Sequence, residues 1–500
     1  MVFQNNVLLG ASGSGTTTYS IDQSIRFPRA SNTSGGYMHK TYSGAGDRTA
    51  YTWSCWFKLG QNNNMIAGSN EYYGFFGCET ATNDSNRTMI LINNDTAASG
   101  EMQLRIQGHS TFYLMTTRKV RDPSAWYHLV VVWDTDNAVP SERVRMYLNG
   151  ERQTDFAQEN YPSSGTEGGI NQAAIHRIGA NYNIGGGVIN YPWDGYMAEI
   201  VFLDGTATDC NSFGEFNSSG IWIPKDVSGL TFGTNGFYID GRDSADLGDD
   251  ESGQGNDYTV SGLAAHDQVL DSPSNNFCVM NSIYADNSGT NSLTSTEGNL
   301  KLAGTSAGFD FLATTFNLPK SGKWYYEYTI GGGYDGFGFF IDYEGATAGG
   351  ANGLGQLSAS QGGGIQYRGW RNGGNYTTTF ASYSSGVFSS GDIHQVAIDV
   401  DNGKFYYGIS NAYQATDGGA DGNPSAGTNE LLAFNFSGND IVLAHMVATD
   451  SNAEHFNFGQ NGTFNGTKTA QGNSDANGVG NFFYAVPTGY LALCTKNLGS

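Results

Sequence analysis

The stretch WYHLVVVWDTDN at 126–137 decides how this chain folds. In an extended segment successive side chains point to opposite faces. Trp126, His128, Val130 and Val132 therefore take one face, and Tyr127, Leu129, Val131 and Trp133 take the other. Both faces are apolar, so the segment reads as a central strand covered on both sides. The following VRMYLNG at 144–150 pairs with it and ends on Asn-Gly, a dipeptide suited to tight hairpin turns. A similar design returns at 393–410, IHQVAIDVDNGKFYYGIS, where Asp401-Asn402-Gly403 separates two strand patterns. These are read as core strands of two separate sandwiches, not as a repeat or a duplicated active site.

Composition agrees with strands. The chain has 500 residues, long enough for more than one domain. Gly is abundant (71) and aromatics reach 13%, a mix that suits short strands joined by turns with positive φ. EMQLRIQ at 101–107 alternates cleanly: Met102, Leu104 and Ile106 against Glu101, Gln103, Arg105 and Gln107. That predicts one buried and one wet face. YTWSCWF at 51–57 and DGYMAEIVFLD at 194–204 read as buried strands, and DCNSFGEF at 209–216 as one short helical turn. The fold class expected is all-β: two tandem antiparallel β-sandwiches, a jelly roll and then a second sandwich, behind an extended N-terminal arm.

The boundaries follow from composition. Residues 1–20, with ASGSGTTT, read as an arm or attachment segment; 21–239 as the first sandwich; 240–299 as an acidic, Gly/Asp-rich connector; 300–500 as the second sandwich. DGRDSADLGDDESGQGND at 240–257 suits a solvated junction, and its acid spacing also suits a Ca²⁺ loop, so both readings stand.

The formal charge of −23 repels phosphate backbones and argues against nucleic acid as a partner. No run reaches the roughly 18 apolar residues of a membrane span. The N-terminal residues lack the pattern of a secretory signal. Five scattered cysteines without a CxxC are expected to be free and buried in a chain made in a reducing cytoplasm, with a Cys55–Cys78 bridge left open.

Catalytic signatures fail in turn. No Glu-x-Asp-x-x-Glu supplies the paired carboxylates of a jelly-roll glucanase. GASGSG matches Gly-x-Ser-x-Gly by letters only, in the arm and with no following helix. There is no HExxH, and the glycines of GFGFF and GGGI precede neither a helix nor a lysine. His128 and His394 are expected to be structural, with hydrogen-bonded rings, and Asp134 and Asp399 to cap turns. No catalytic residue and no cofactor is assigned. Recognition by surface residues is left, and Tyr367, Arg368, Trp370, Arg371 and Asn372 combine the rings and polar groups that hold a sugar.

These motifs carry a resemblance. TWSCWFKLG, AWYHLVVVWD with VRMYLNGE, HRIGANYN and WDGYMAEIVFLDG, in that order, resemble the laminin-G-like jelly rolls of the concanavalin A-like superfamily. FGEFNSSGIWIPKDVSGLTFGTNGFYIDG and DQVLDSPSNNFCVMN are similar to a module of bacteriophage virion proteins. GKWYYEYTI, GDIHQVAIDVDNGKFYYGIS and GYLALCTKNL resemble a SPRY-type sandwich. The resemblance implies a non-enzymatic virion surface protein, a tail or head fibre used for host-surface recognition and glycan binding. Its partners would be other virion proteins, met through the arm, and a host glycan or protein; it would be a homo-oligomer of trimeric type. A decoration protein contacting only virion proteins and a polysaccharide depolymerase are the rival readings. The same resemblance allows Ca²⁺ at a loop edge without placing its ligands.

Overall fold

The computed structural model describes residues 19–60, 71–81, 86–94, 102–108, 112–183, 188–285, 294–303, 309–331, 335–341, 366–372, 375–378, 382–383, 390–414, 420–433, 441–448 and 453–498. The chain is nearly all β: among these residues helix is confined to the last turn, Thr495–Leu498, and to short 3-10 turns. One such turn, Cys210–Ser212, is the helical turn expected near 209, and Asp209 caps it by accepting from the Asn211 N–H. The chain divides into two compact units, Met1–Asn276 and Phe277–Ser500.

The first unit is a sandwich of two antiparallel sheets. The first sheet runs Glu151–Arg152, Val144–Leu148, Trp126–Asp134, Ala50–Leu59, Gly195–Asp204, Ser24–Phe27 and Gln268–Val269, with Phe237–Ile239 paired beside Gly195–Asp204. The second runs Phe156–Asn160, Tyr113–Lys119, Gln103–Gln107, Arg87–Asn94, Glu71–Glu79, Ile175–Ile178, Tyr37–Thr41 and Thr259–Ser261. Trp53, Cys55, Phe57, Leu129, Val131 and Trp133 from the first sheet meet Phe76, Ile90, Ile92, Leu104 and Ile106 from the second in one core. Deleting one such buried aromatic side chain costs about 3–5 kcal/mol.

Trp126–Asp134 is internal to its sheet and covered on both sides, as its double-faced pattern requires. Its outer-facing Val130 and Val132 pack with Cys210, Phe213, Trp222, Phe232 and Tyr238 in a separate apolar cluster, so residues 207–238 form a third layer. The Asn149-Gly150 turn has both residues at positive φ, 51° and 78°. A Cβ on Gly150 would come 2.3 Å from the Trp222 ring, so glycine is needed twice there.

The stretch 240–299 is shared between the units. Thr259–Ser261 and Gln268–Val269 extend the two sheets of the first, and Met280–Ala285 pairs with Phe309–Leu318 in the second. Two acids of this stretch neutralise buried cations. Arg26 meets Asp267 at 2.7 Å, and Lys58 meets Asp271 at 2.7 Å, with all four side chains almost fully buried.

The second unit also carries two sheets. One of them runs through Glu454–Asn457, Lys323–Thr329, Ile393–Asp399 and Lys404–Ile409. Ile393–Asp399 and Lys404–Ile409 are the hairpin expected from Asp401-Asn402-Gly403, with Gly403 at φ 62°.

Candidate functional site

Tyr367, Arg368, Trp370, Arg371 and Asn372 lie on the strand Gln366–Asn372, where Arg368 pairs with Gly338 and Trp370 with Gly336 and Thr377. Their side chains fall outside the described residues.

The two histidines of the quoted stretches are buried, and both ring nitrogens of His128 and the Nδ1 of His394 are hydrogen-bonded. The Trp222 indole N–H donates to His128 Nδ1 at 3.0 Å, which leaves the ring proton on Nε2, directed at Ser54 Oγ 2.8 Å away. Burial drives this imidazole down to about 3, so it is neutral. A serine beside a histidine suggests a nucleophile and its base, but a protonated Nε2 has no lone pair for the serine proton. The pair is structural and 1% exposed or less. His394 Nδ1 is bonded to the Tyr407 hydroxyl, with Tyr328 OH at 3.4 Å. Asp399 caps its turn by accepting from the Asn402 N–H at 3.0 Å.

In the acidic stretch, Asp250 accepts from the N–H groups of Tyr238, Ser252 and Asn256. Its oxygens are thus committed to loop geometry. Among the described residues no group of three or more His, Cys, Asp or Glu side chains is placed to hold a metal ion. All five cysteines are free and buried; Cys78 accepts from Gln172 rather than meeting Cys55.

The outer face of the second sheet is the unexplained surface of the first unit. Strand alternation that sends Ile90, Ile92, Leu104 and Ile106 into the core sends Met89, Leu91, Asn93, Gln103, Arg105 and Gln107 outward. One row across the sheet reads Tyr113, Gln107, Met89, Gly77, Arg177 and His39; the next reads Met115, Arg105, Leu91 and Gly74. The face expected to be wet is largely covered, with Gln103 at 5% and Gln107 at 7% exposure. Its polar groups engage neighbours, as where Gln103 Nε2 donates to the Thr116 carbonyl.

Two features stand out on this face. The Arg105 guanidinium lies 3.8 Å from the Tyr113 ring centroid and 5.6 Å from that of Tyr72, and Nη1 donates to Asn93 Oδ1 at 2.8 Å. Such cation–ring contacts stabilise a desolvated charge by about 2 kcal/mol or less each. Burial pulls its pKa below the ordinary value, helped by the Arg87 charge, yet an arginine remains protonated. Second, Asn181 is 2% exposed, and neither its amide nitrogen nor its oxygen has a hydrogen-bond partner. It lies over two glycines: a Cβ on Gly74 would meet Asn181 Nδ2 at 2.8 Å, and one on Gly77 would meet Oδ1 at 2.6 Å. An unpaired buried polar group costs about 1–3 kcal/mol, so this one calls for a reason.

Around them, the Tyr72 and Tyr191 rings are 4.7 Å apart. Glu79, the one carboxylate of this face among the described residues, stands 3.8 Å from Arg87 Nε. His39 is pushed below the ordinary imidazole range by burial and by Arg177. Arg105 is on the polar side of EMQLRIQ in the sequence, but nothing local announced its rings, and Asn181 carried no signal.

Residues 32–210 match the family model described as the concanavalin A-like lectin/glucanases superfamily. This segment contains the face just described, from His39 to Tyr191. No curated protein matches the chain. Several solved structures are similar in part. A native heptameric SAP-like pentraxin from Limulus polyphemus is 20% identical, covering 38% of this chain and 78% of its own, with a TM-score of 0.28. The SPRY domain of human HERC1 is 12% identical, covering 35% of this chain and 96% of its own, at 0.22. Domain 4 of AbnA, a GH43 extracellular arabinanase from Geobacillus stearothermophilus solved with arabinotriose, is 21% identical, covering 36% and 72%, at 0.24.

Proposed function

We propose that this is a non-enzymatic carbohydrate-binding protein that takes its glycan on the outer face of the second sheet of the first unit. The observation that carries the reading is the buried, unpartnered amide of Asn181, set on a face with tyrosine rings and an arginine. Amides and guanidinium groups bond sugar hydroxyls, and a binding site is one reason to keep a polar group unpaired. Cleavage by the usual route needs two carboxyl groups flanking the bond. Glu79 alone represents them among the described residues of this face, and it stands beside Arg87.

The setting is a bacteriophage virion surface, as a tail or head fibre that recognises the host. Support comes from the motif run at 213–281 and its resemblance to virion modules. The arm at 1–20 would hold the chain to other virion proteins, and a homo-oligomer, trimeric in this reading, would multiply weak glycan contacts into avidity.

The test incubates the full chain with host envelope polysaccharide and follows both retention and new reducing ends. Retention without reducing ends is expected. Reducing ends would make it a depolymerase; neither signal, with the chain located only against other virion proteins in particle images, would make it a decoration protein.

A further inference from the structure

We propose that the glycan is acidic and that Arg105 is the residue that receives its carboxylate; this rests on the glycan-binding reading above. The chain carries 47 acids against 24 bases, so cations outnumbered by acids readily find one. Elsewhere in the first unit arginines do meet carboxylates: Arg26 with Asp267, Arg48 with Glu167, Arg118 with Glu151, Arg152 with Glu142. Arg105 meets none. It sits between two tyrosine rings with one nitrogen on Asn93, while its Nε has no hydrogen-bond partner.

A guanidinium taken partly out of water is destabilised by desolvation, and a ligand carboxylate would offset that cost through charge-assisted bonding. The tyrosines hold the plane of the fork and so preorganise it for a planar anion. Arg87, beside Glu79, and Arg177 lie on the same face, on the adjacent strand Arg87–Asn94 and on Ile175–Ile178. Asn181 lies over Gly74, two strands from Arg105, a separation of about 10 Å at ordinary strand spacing. One end of the ligand is thus read by charge and the other by hydroxyl bonding. A neutral glycan would leave Arg105 buried without a counter-ion.

The experiment uses the full chain and matched polymers: polygalacturonate, alginate and hyaluronan, each beside its carboxyl-reduced form, with dextran sulfate as a non-carboxylate anion. Binding is read by titration calorimetry at low and moderate salt. At least one uronate is expected to bind tenfold or more tighter than its reduced partner, and Arg105→Gln to erase that ratio while leaving the far-ultraviolet spectrum unchanged. Arg105→Lys, which keeps charge but not the fork, is expected to recover part of it. Equal binding of a uronate and its reduced form overturns the acid preference and leaves glycan binding standing. Dextran sulfate binding as tightly as every uronate overturns the carboxylate assignment. Binding to no polymer of either kind sinks the glycan reading together with this one. The comparison of matched polymers on the unaltered protein decides even if Arg105→Gln does not fold.

Discussion

Glu199 makes the first unit sensitive to pH, with a sign opposite to the usual one for a carboxyl group. It sits at a bulge in Gly195–Asp204, at φ 50°, where the register shifts between Ala198 and Val201. Both carboxyl oxygens accept from the Tyr238 hydroxyl at 2.8 Å, and Tyr19 OH lies 3.1 Å from that hydroxyl. Burial raises its pKa from 4.5 to about 7, against the lowering by the tyrosine bonds. The folded state therefore holds this proton more tightly than the unfolded one. Its stabilisation is fully present below the unfolded pKa near 4.5 and is lost as pH rises through 7. A shift of about 2.5 units amounts to roughly 3 kcal/mol. Glu199→Gln, a neutral isostere, should match the parent at pH 4.5 and exceed it by about 3 kcal/mol at pH 8. Urea unfolding at half-unit pH steps, followed by tryptophan fluorescence, reads the difference between the two proteins, which cancels every other titrating group. A difference that stays flat from pH 4.5 to 8, or falls as pH rises, refutes the reasoning.

Other outcomes follow from buried polar groups. Asp271→Ala leaves buried Lys58 with Asn276 but no carboxylate and should cost about 3–5 kcal/mol, whereas Lys58→Met with Asp271→Leu should recover part of it, the Trp126 indole still losing its acceptor; thermal unfolding of both checks this. Asn181→Leu removes two unpaired polar atoms and should stabilise the first unit by about 1–3 kcal/mol in denaturant melts while abolishing glycan retention, a trade of function for stability.

Much of the fold was legible because strands announce themselves locally. Alternation in EMQLRIQ assigned Met102, Leu104 and Ile106 to the core, and the double-faced run at 126–133 foretold a covered central strand. Asn-Gly and Asp-Asn-Gly placed two hairpins. Alternation does not say what lies across a face, and there the reading stopped. The third layer over Val130 and Val132 comes from residues 207–238, and the polar face of EMQLRIQ is partly covered instead of wet. The site was harder still. Tyr367 to Asn372 drew notice because rings and arginines adjoin in sequence. Arg105 meets Tyr72 and Tyr113 only once strands pair, and Asn181 finds Gly74 and Gly77 more than a hundred residues back. The stretch DGRDSADLGDDESGQGND reads as a junction because it is polar, glycine-rich and acidic, and its composition does not say that Asp250 organises its own loop.

The Lys58–Asp271 contact joins positions 213 residues apart. A ribosome adding about 5–20 residues per second would need roughly 10–40 s to deliver the acid after the lysine. Through that interval the sheet around Lys58 has an ammonium group with no aspartate to meet, so it stays open to water and to chaperones. Closure of the sandwich is thereby timed by the emergence of its final segment, and a nascent chain stalled short of Asp271 would be an aggregation-prone species and not a smaller folded protein.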